Sequence, residues 1–134
     1  VMKYFSKLDS NNIVINLIVC DDDYTEQYCD NTLGGTHKET WVDGSQRQRF
    51  AQIGGSYDPV KDLFIDIQTH PSWALDSNNE WQAPVAYPTV TAWGETDDIY
   101  PIIWDEDKQR WTGSSREGGV SLIWNSDTSS WSEE

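Results

Sequence analysis

Apolar and polar positions alternate along this chain in short bursts and never settle into a long helical period. Residues 3–8 and 13–20 read as two strands joined by the turn Asp9-Ser10-Asn11-Asn12. The second run is rich in β-branched residues and almost wholly apolar, which predicts a strand covered on both faces. The pattern then changes. Asp23 stands as an N-cap with Glu26 at the third helical position, Tyr24 and Tyr28 lie four apart, and Leu33 precedes Gly34-Gly35. One short helix over residues 24–33, covering one face of a sheet, is expected. Trp41-Val42, before the turn Asp43-Gly44, and residues 50–53 read as two further short strands.

From residue 57 onward one pattern recurs: an aromatic residue, a polar centre of turn-forming residues, and a second aromatic. It runs from Tyr57 to Phe64, from Trp73 to Trp81 with one extra residue, from Trp104 to Trp111 and from Trp124 to Trp131. This is the pattern of a β-hairpin whose two aromatics face each other across the strands. Such a pair stabilises a hairpin by roughly 0.2–1 kcal/mol. Ile103-Trp104 and Ile123-Trp124 open two of these units 20 residues apart, a short internal repeat.

Between the units lie less structured readings. Pro84 and Pro88 forbid a central strand over residues 83–89 and predict an extended segment lying over the aromatic surface. Residues 91–100 read as a polar connector, and residues 113–119 as a flexible linker. The expected fold class is mainly β with one short α-helix: a small antiparallel sheet followed by a series of aromatic-clamped β-hairpins. The expected organisation is a β-rich body over residues 1–92, with its helix at 24–33, and a C-terminal extension of two hairpins over residues 93–134.

Composition narrows the function classes. Nine Lys plus Arg against 23 Asp plus Glu give a net charge of −14, which argues against nucleic-acid binding and against an anionic membrane surface. No apolar run approaches a transmembrane helix. Residues 13–20 are interrupted by Asn16 and followed by no small-residue cleavage site, so no signal peptide is expected there. Cys20 and Cys29 make neither a disulfide framework nor a zinc site. Free buried thiols are the favoured state, and a single bridge is the alternative.

No catalytic constellation stands out, and no cofactor is expected. His37 and His70 read as solitary, exposed loop histidines. Cys20 ends an apolar strand and reads as an inert thiol. Asp21-Asp22-Asp23 with Asp30 has the oxygen chemistry of a calcium site, but helix capping explains the same residues, and no metal is assigned. The tryptophans have two readings, a core or an exposed platform for sugars or proteins. Tyr57, Phe64, Trp73 and Trp81 are taken as hairpin clamps. Tyr100, Ile103, Trp104, Trp111, Trp124 and Trp131 are taken as the partner-binding surface.

Four phrases point further. They are the opening Tyr4-Phe5-Ser6-Lys7-Leu8-Asp9-Ser10-Asn11-Asn12-Ile13-Val14; Phe50-Ala51-Gln52-Ile53-Gly54-Gly55-Ser56-Tyr57-Asp58 with Asp62-Leu63-Phe64-Ile65; Pro71-Ser72-Trp73-Ala74-Leu75 with Trp81-Gln82-Ala83-Pro84; and Tyr87-Pro88-Thr89. Together they resemble small virion structural proteins of tailed phages that infect marine cyanobacteria and related bacteria, over roughly residues 3–111. The chain departs from that pattern at Ile53-Gly54-Gly55-Ser56, at the link of residues 66–70, and in a last hairpin beyond the family's usual end. The resemblance implies a non-enzymatic particle component, in the virion and assembled in the host cytoplasm. It implies partners among other virion proteins, the major capsid protein first, with self-association or a glycan as further options. A capsid decoration protein is the expected role, and a tail- or fibre-associated carbohydrate-binding module is the alternative.

Overall fold

A computed structural model describes residues 2–134. The chain is mainly β with one short helix, and every paired strand is antiparallel. It divides into two compact units, Val1–Gln68 and Thr69–Glu134. The division falls upstream of the expected boundary at residues 92 and 93. Trp73, Ala83 and Val85 pack on the core of the second unit, so that stretch belongs with the C-terminal hairpins.

The first unit holds β1 (Met2–Leu8), β2 (Val14–Asp21), α1 (Glu26–Leu33), β3 (Thr36–Thr40), β4 (Ser56–Asp58) and β5 (Leu63–Ile65). Its sheet has the order β2-β1-β3. Central β1 buries Phe5, Ser6 and Leu8, whereas β2 is an edge strand and leaves Ile15 and Val19 about half exposed. The expectation that β2 is covered on both faces is therefore corrected. Its apolar composition reflects two buried positions at its ends, Val14 and Cys20.

The helix starts two residues later than expected. Thr25, not Asp23, is the N-cap, and its hydroxyl accepts the Tyr28 N–H at 3.1 Å. Glu26 thus becomes the first helical residue. Its carboxylate leaves the helix end and accepts from the Glu39 N–H and from Arg47 Nη1, each at 2.7 Å. The polar stretch Thr36–Thr40, which looks like loop, is strand β3. Ser6 Oγ donates to the Lys38 carbonyl at 2.9 Å, and Thr40 Oγ1 accepts the Ala51 N–H at 2.7 Å. Neither Trp41-Val42 nor residues 50–53 form strands. Arg47 and Gln48 both take positive φ, 56° and 71°, and turn the chain before a ladder can form.

The Tyr57–Phe64 clamp forms as expected. The two residues are direct cross-strand partners in the β4/β5 hairpin, with ring centroids 5.3 Å apart. Asp58 Oδ1 accepts the Val60 and Lys61 N–H groups at 2.9 and 3.1 Å, and Asp62 closes the turn with φ 55°.

The second unit holds β6 (Ala74–Leu75), β7 (Trp81–Gln82), β8 (Ala92–Trp93), β9 (Asp97–Asp105), β10 (Arg110–Ser115), β11 (Ser121–Asn125) and β12 (Ser130–Glu133). The last five form one sheet in the order β12-β11-β10-β9-β8, and β6 pairs only with β7. Trp104 faces Trp111 and Trp124 faces Trp131, so the 20-residue repeat becomes two consecutive hairpins of one meander. The turns share one chemistry. Asp76, Asp105 and Asn125 each accept backbone N–H groups from the turn that follows. Asn79, Gln109 and Ser129 each close it with φ between 49° and 61°.

Trp73 and Trp81 do not clamp each other. The extra residue shifts the register, so Leu75 faces Trp81 and Trp73 falls outside the hairpin. Residues 91–100 are not a mere connector, because they contain β8 and the start of β9. Residues 113–119 are not a flexible linker. Gly113-Ser114-Ser115 is the end of β10, and Asp97 accepts the Glu117 and Gly118 N–H groups at 2.8 and 3.3 Å across the following turn. Gly113 is required there by packing. A Cβ on it would lie 2.5 Å from Ile99 Cγ2 and 3.2 Å from the Trp131 ring. Gly113→Ala is expected to lower stability by about 1–3 kcal/mol, through overpacking of a filled core. The neighbouring Ser114→Ala should change it by less than about 0.5 kcal/mol. Thermal unfolding of the two variants checks this.

Candidate functional site

The structure buries the four tryptophans assigned to a partner-binding surface. Trp104, Trp111, Trp124 and Trp131 form the core of the second unit with Ile99 and Leu122. The physical reason lies in the proline-containing segment that precedes the sheet. It lies over the rings as expected, and its backbone accepts the N–H groups of two of them. Trp111 Nε1 donates to the Val85 carbonyl at 2.8 Å, and Trp131 Nε1 to the Val90 carbonyl at 2.7 Å. Tyr87 meets the Trp111 ring edge-on at 5.0 Å. Trp73 packs against Trp104 and Trp111 at 6.3 and 6.1 Å.

Tyr100 and Ile103 are the two assigned residues that reach solvent, at 66% and 55% exposure. A bulge in β9 turns Tyr100 out. Ile102 pairs with Gly113 and Ile99 with Ser115, which leaves Tyr100-Pro101 opposite Ser114 alone. The Arg116 guanidinium lies 5.5 Å over the Tyr100 ring. Ile103 stands in register with Thr112, and Thr112 with Ile123, which places a small apolar row on the face opposite the tryptophans.

The first unit has a polar centre that the sequence did not announce. Arg47 donates to Glu26 at 2.7 Å, to Asp62 at 2.9 Å and to the Glu39 carbonyl at 2.8 Å. Its guanidinium also lies against the Trp41 and Tyr57 rings, at 5.8 and 5.5 Å. The Tyr57 hydroxyl donates to Asp62. That bond, then the Arg47 charge, holds the Asp62 carboxyl below its ordinary range. Burial, then the same hydrogen bond, pushes Tyr57 up to about 12. His37 is buried, not exposed: the Asp30 carboxylate accepts its backbone N–H at 2.5 Å and lies 2.9 Å from Nδ1. His70 lies in the second unit beside the Trp73 ring and 4.0 Å from Glu106. Glu106 is held below its usual range by the Ser72 hydroxyl, 2.7 Å away, and by the Trp104 N–H.

The first unit also carries an open groove of about 490 Å³. Met2, Tyr4, Trp41 and Val42 give it apolar surface, and Asp22, Glu39 and Asp43 give it acceptors. Trp41 looks like a strand residue in the sequence, flanked by Thr40 and Val42, and nothing local marks it as a groove residue. Among the described residues, no group of three or more His, Cys, Asp and Glu could hold a metal ion. No helix among them is long and apolar enough to cross a membrane. No protein-family model, curated protein or solved structure matches the chain.

The Tyr57 hydroxyl provides a pH test. Its folded-state pKa of about 12 lies above the ordinary 10.0. The fold therefore binds this proton more tightly than the unfolded chain does. The resulting stability is complete below pH 10 and is lost as pH rises toward 12. Tyr57→Phe should flatten that alkaline loss and cost about 1 kcal/mol at neutral pH. Denaturant titrations followed by circular dichroism at several pH values check both.

Proposed function

We propose that this chain is a non-enzymatic structural protein of a virion, bound to the outside of the capsid as a decoration protein. One observation carries the reading. Several residues of the phage-like phrases are the residues on which the two cores are built. Phe5, Leu8, Val14, Tyr57 and Phe64 are buried in the first unit, and Trp73 packs on the core of the second. Part of the proposed likeness therefore falls on positions that pack the two cores. A net charge of −14 suits a many-copy outer protein that must stay soluble. The attachment contact is assigned to the exposed residues of β9, Tyr100 and Ile103, with the tryptophans as the rigid support behind that sheet.

A second reading, a tail- or fibre-associated carbohydrate-binding module, is favoured by the groove beside Trp41. An indole face with carboxylate acceptors is the chemistry that sugar rings and hydroxyls use.

Gold-antibody labelling of intact virions, viewed by electron microscopy, tests the proposal. Label over the head is the expected result. Label confined to the tail moves the assignment to the second reading, and particles without label overturn both. Tyr100→Ala combined with Ile103→Asp should melt like the parent yet occupy particles roughly tenfold less, a loss of about 1.4 kcal/mol. Trp131→Ala should instead cost about 3–5 kcal/mol of stability by opening the core. Equal occupancy for the β9 double variant and its parent would reject the assigned contact.

A further inference from the structure

Cys20 and Cys29 are both free and both buried. They belong to one small cluster with Phe5, which Ile18 and Tyr24 border. Cys20 sits near the end of β2, and Cys29 is the one buried residue of α1. The connection between them is short. The Tyr24 N–H donates to the Asp21 carbonyl at 3.1 Å, and Thr25 then starts the helix. The turn brings Cys29 back against the strand it has just left, and both thiols lie in that one buried cluster.

Two readings fit a pair of buried thiols. They can act as small apolar fillers, or as the two halves of a bond not yet made. Two of the three buried residues of this cluster are cysteines, which favours the second reading. We propose that Cys20 and Cys29 form an oxidisable pair that closes into a disulfide joining α1 to β2. The inference rests on the first unit's own packing and is independent of the virion reading.

The oxidant is a low-molecular-weight disulfide, such as oxidised glutathione. The Cys20 thiolate attacks one glutathione sulfur, forms a mixed disulfide and releases one reduced glutathione. Cys20 goes first because it keeps 8% of its surface exposed, while Cys29 keeps none. Cys29 then gives up its proton and attacks Cys20 Sγ, and the second glutathione leaves reduced. The protein loses two electrons and two protons, and glutathione takes up both. The second step is the slow one in the folded chain. Burial, then the neighbouring Cys20, pushes the Cys29 thiol up to about 11 and keeps its thiolate scarce.

The full chain is refolded from denaturant in a buffer of oxidised and reduced glutathione, then denatured, alkylated with iodoacetamide and weighed by mass spectrometry. The expected product carries no alkyl group and no glutathione and has lost two hydrogens. Its digest contains a Cys20–Cys29 cross-linked peptide that a reductant separates. The oxidised chain should also melt a few degrees higher than the reduced one, while Cys29→Ser shows no such difference between the two conditions. Recovery of two alkylated thiols, or of glutathione adducts on both cysteines, overturns the proposal. A cross-linked product that melts lower than the reduced chain overturns it as well, since the bond would then oppose the native packing.

Discussion

A ring facing a ring across two antiparallel strands is the constraint on which both units depend. Tyr57 meets Phe64, Trp104 meets Trp111 and Trp124 meets Trp131, with centroids 5.1 to 5.3 Å apart. Each pair contributes roughly 0.2–1 kcal/mol, too little to hold a lone hairpin in water. The pairs therefore have to be covered. In the first unit the ring pair packs with Leu8, Val14 and Ala51. In the second unit the tryptophans form the core itself, and a non-strand segment closes over them.

That closure follows from the chemistry of indole. A buried tryptophan brings an N–H that must find an acceptor, because leaving it unsatisfied costs about 1–3 kcal/mol. Strand carbonyls are already engaged in the ladder. Trp111 and Trp131 find theirs at Val85 and Val90, in a stretch that Pro84 and Pro88 keep out of the sheet, and Trp104 at the Glu106 carboxylate. Proline placement and tryptophan placement are thus two halves of one arrangement. Once the rings face inward, the outward side of β9 keeps only Tyr100 and Ile103 as large apolar groups.

How far the fold was legible follows from how local each signal is. The clamped hairpins could be read because ring, Asx residue and turn length all lie within one short window. Strand β3 could not, because its polar residues are buried by partners outside the strand: His37 by Asp30 of the helix, and Thr40 by the Ala51 N–H. Glycine and serine at 113–115 look like a linker to composition, yet the glycine is there to admit Ile99 and the Trp131 ring. The unit boundary was misplaced for the same reason, since Trp73 belongs to a core assembled some thirty residues downstream. Of the candidate contact residues, Tyr100 and Ile103 both face outward only because the bulge in β9 offsets their alternation, whereas hydrophobicity alone could not tell a covered tryptophan from an exposed one. The groove at Trp41 was invisible because it is made where separate segments meet.

The unequal placement of indoles has a spectroscopic consequence. Of the eight tryptophans, Trp41 alone lies in the first unit, and the other seven lie in the second. Indole emission is therefore almost entirely a signal from the C-terminal meander. Tyr4, Tyr24, Tyr28 and Tyr57 are the main chromophores of the N-terminal unit, and their emission is readily lost to energy transfer wherever indoles are near. A fluorescence melt of the intact chain reports chiefly the second unit, while far-ultraviolet circular dichroism weighs both. Divergence of the two traces is thus a direct readout of whether the halves of this chain lose their structure together or in turn.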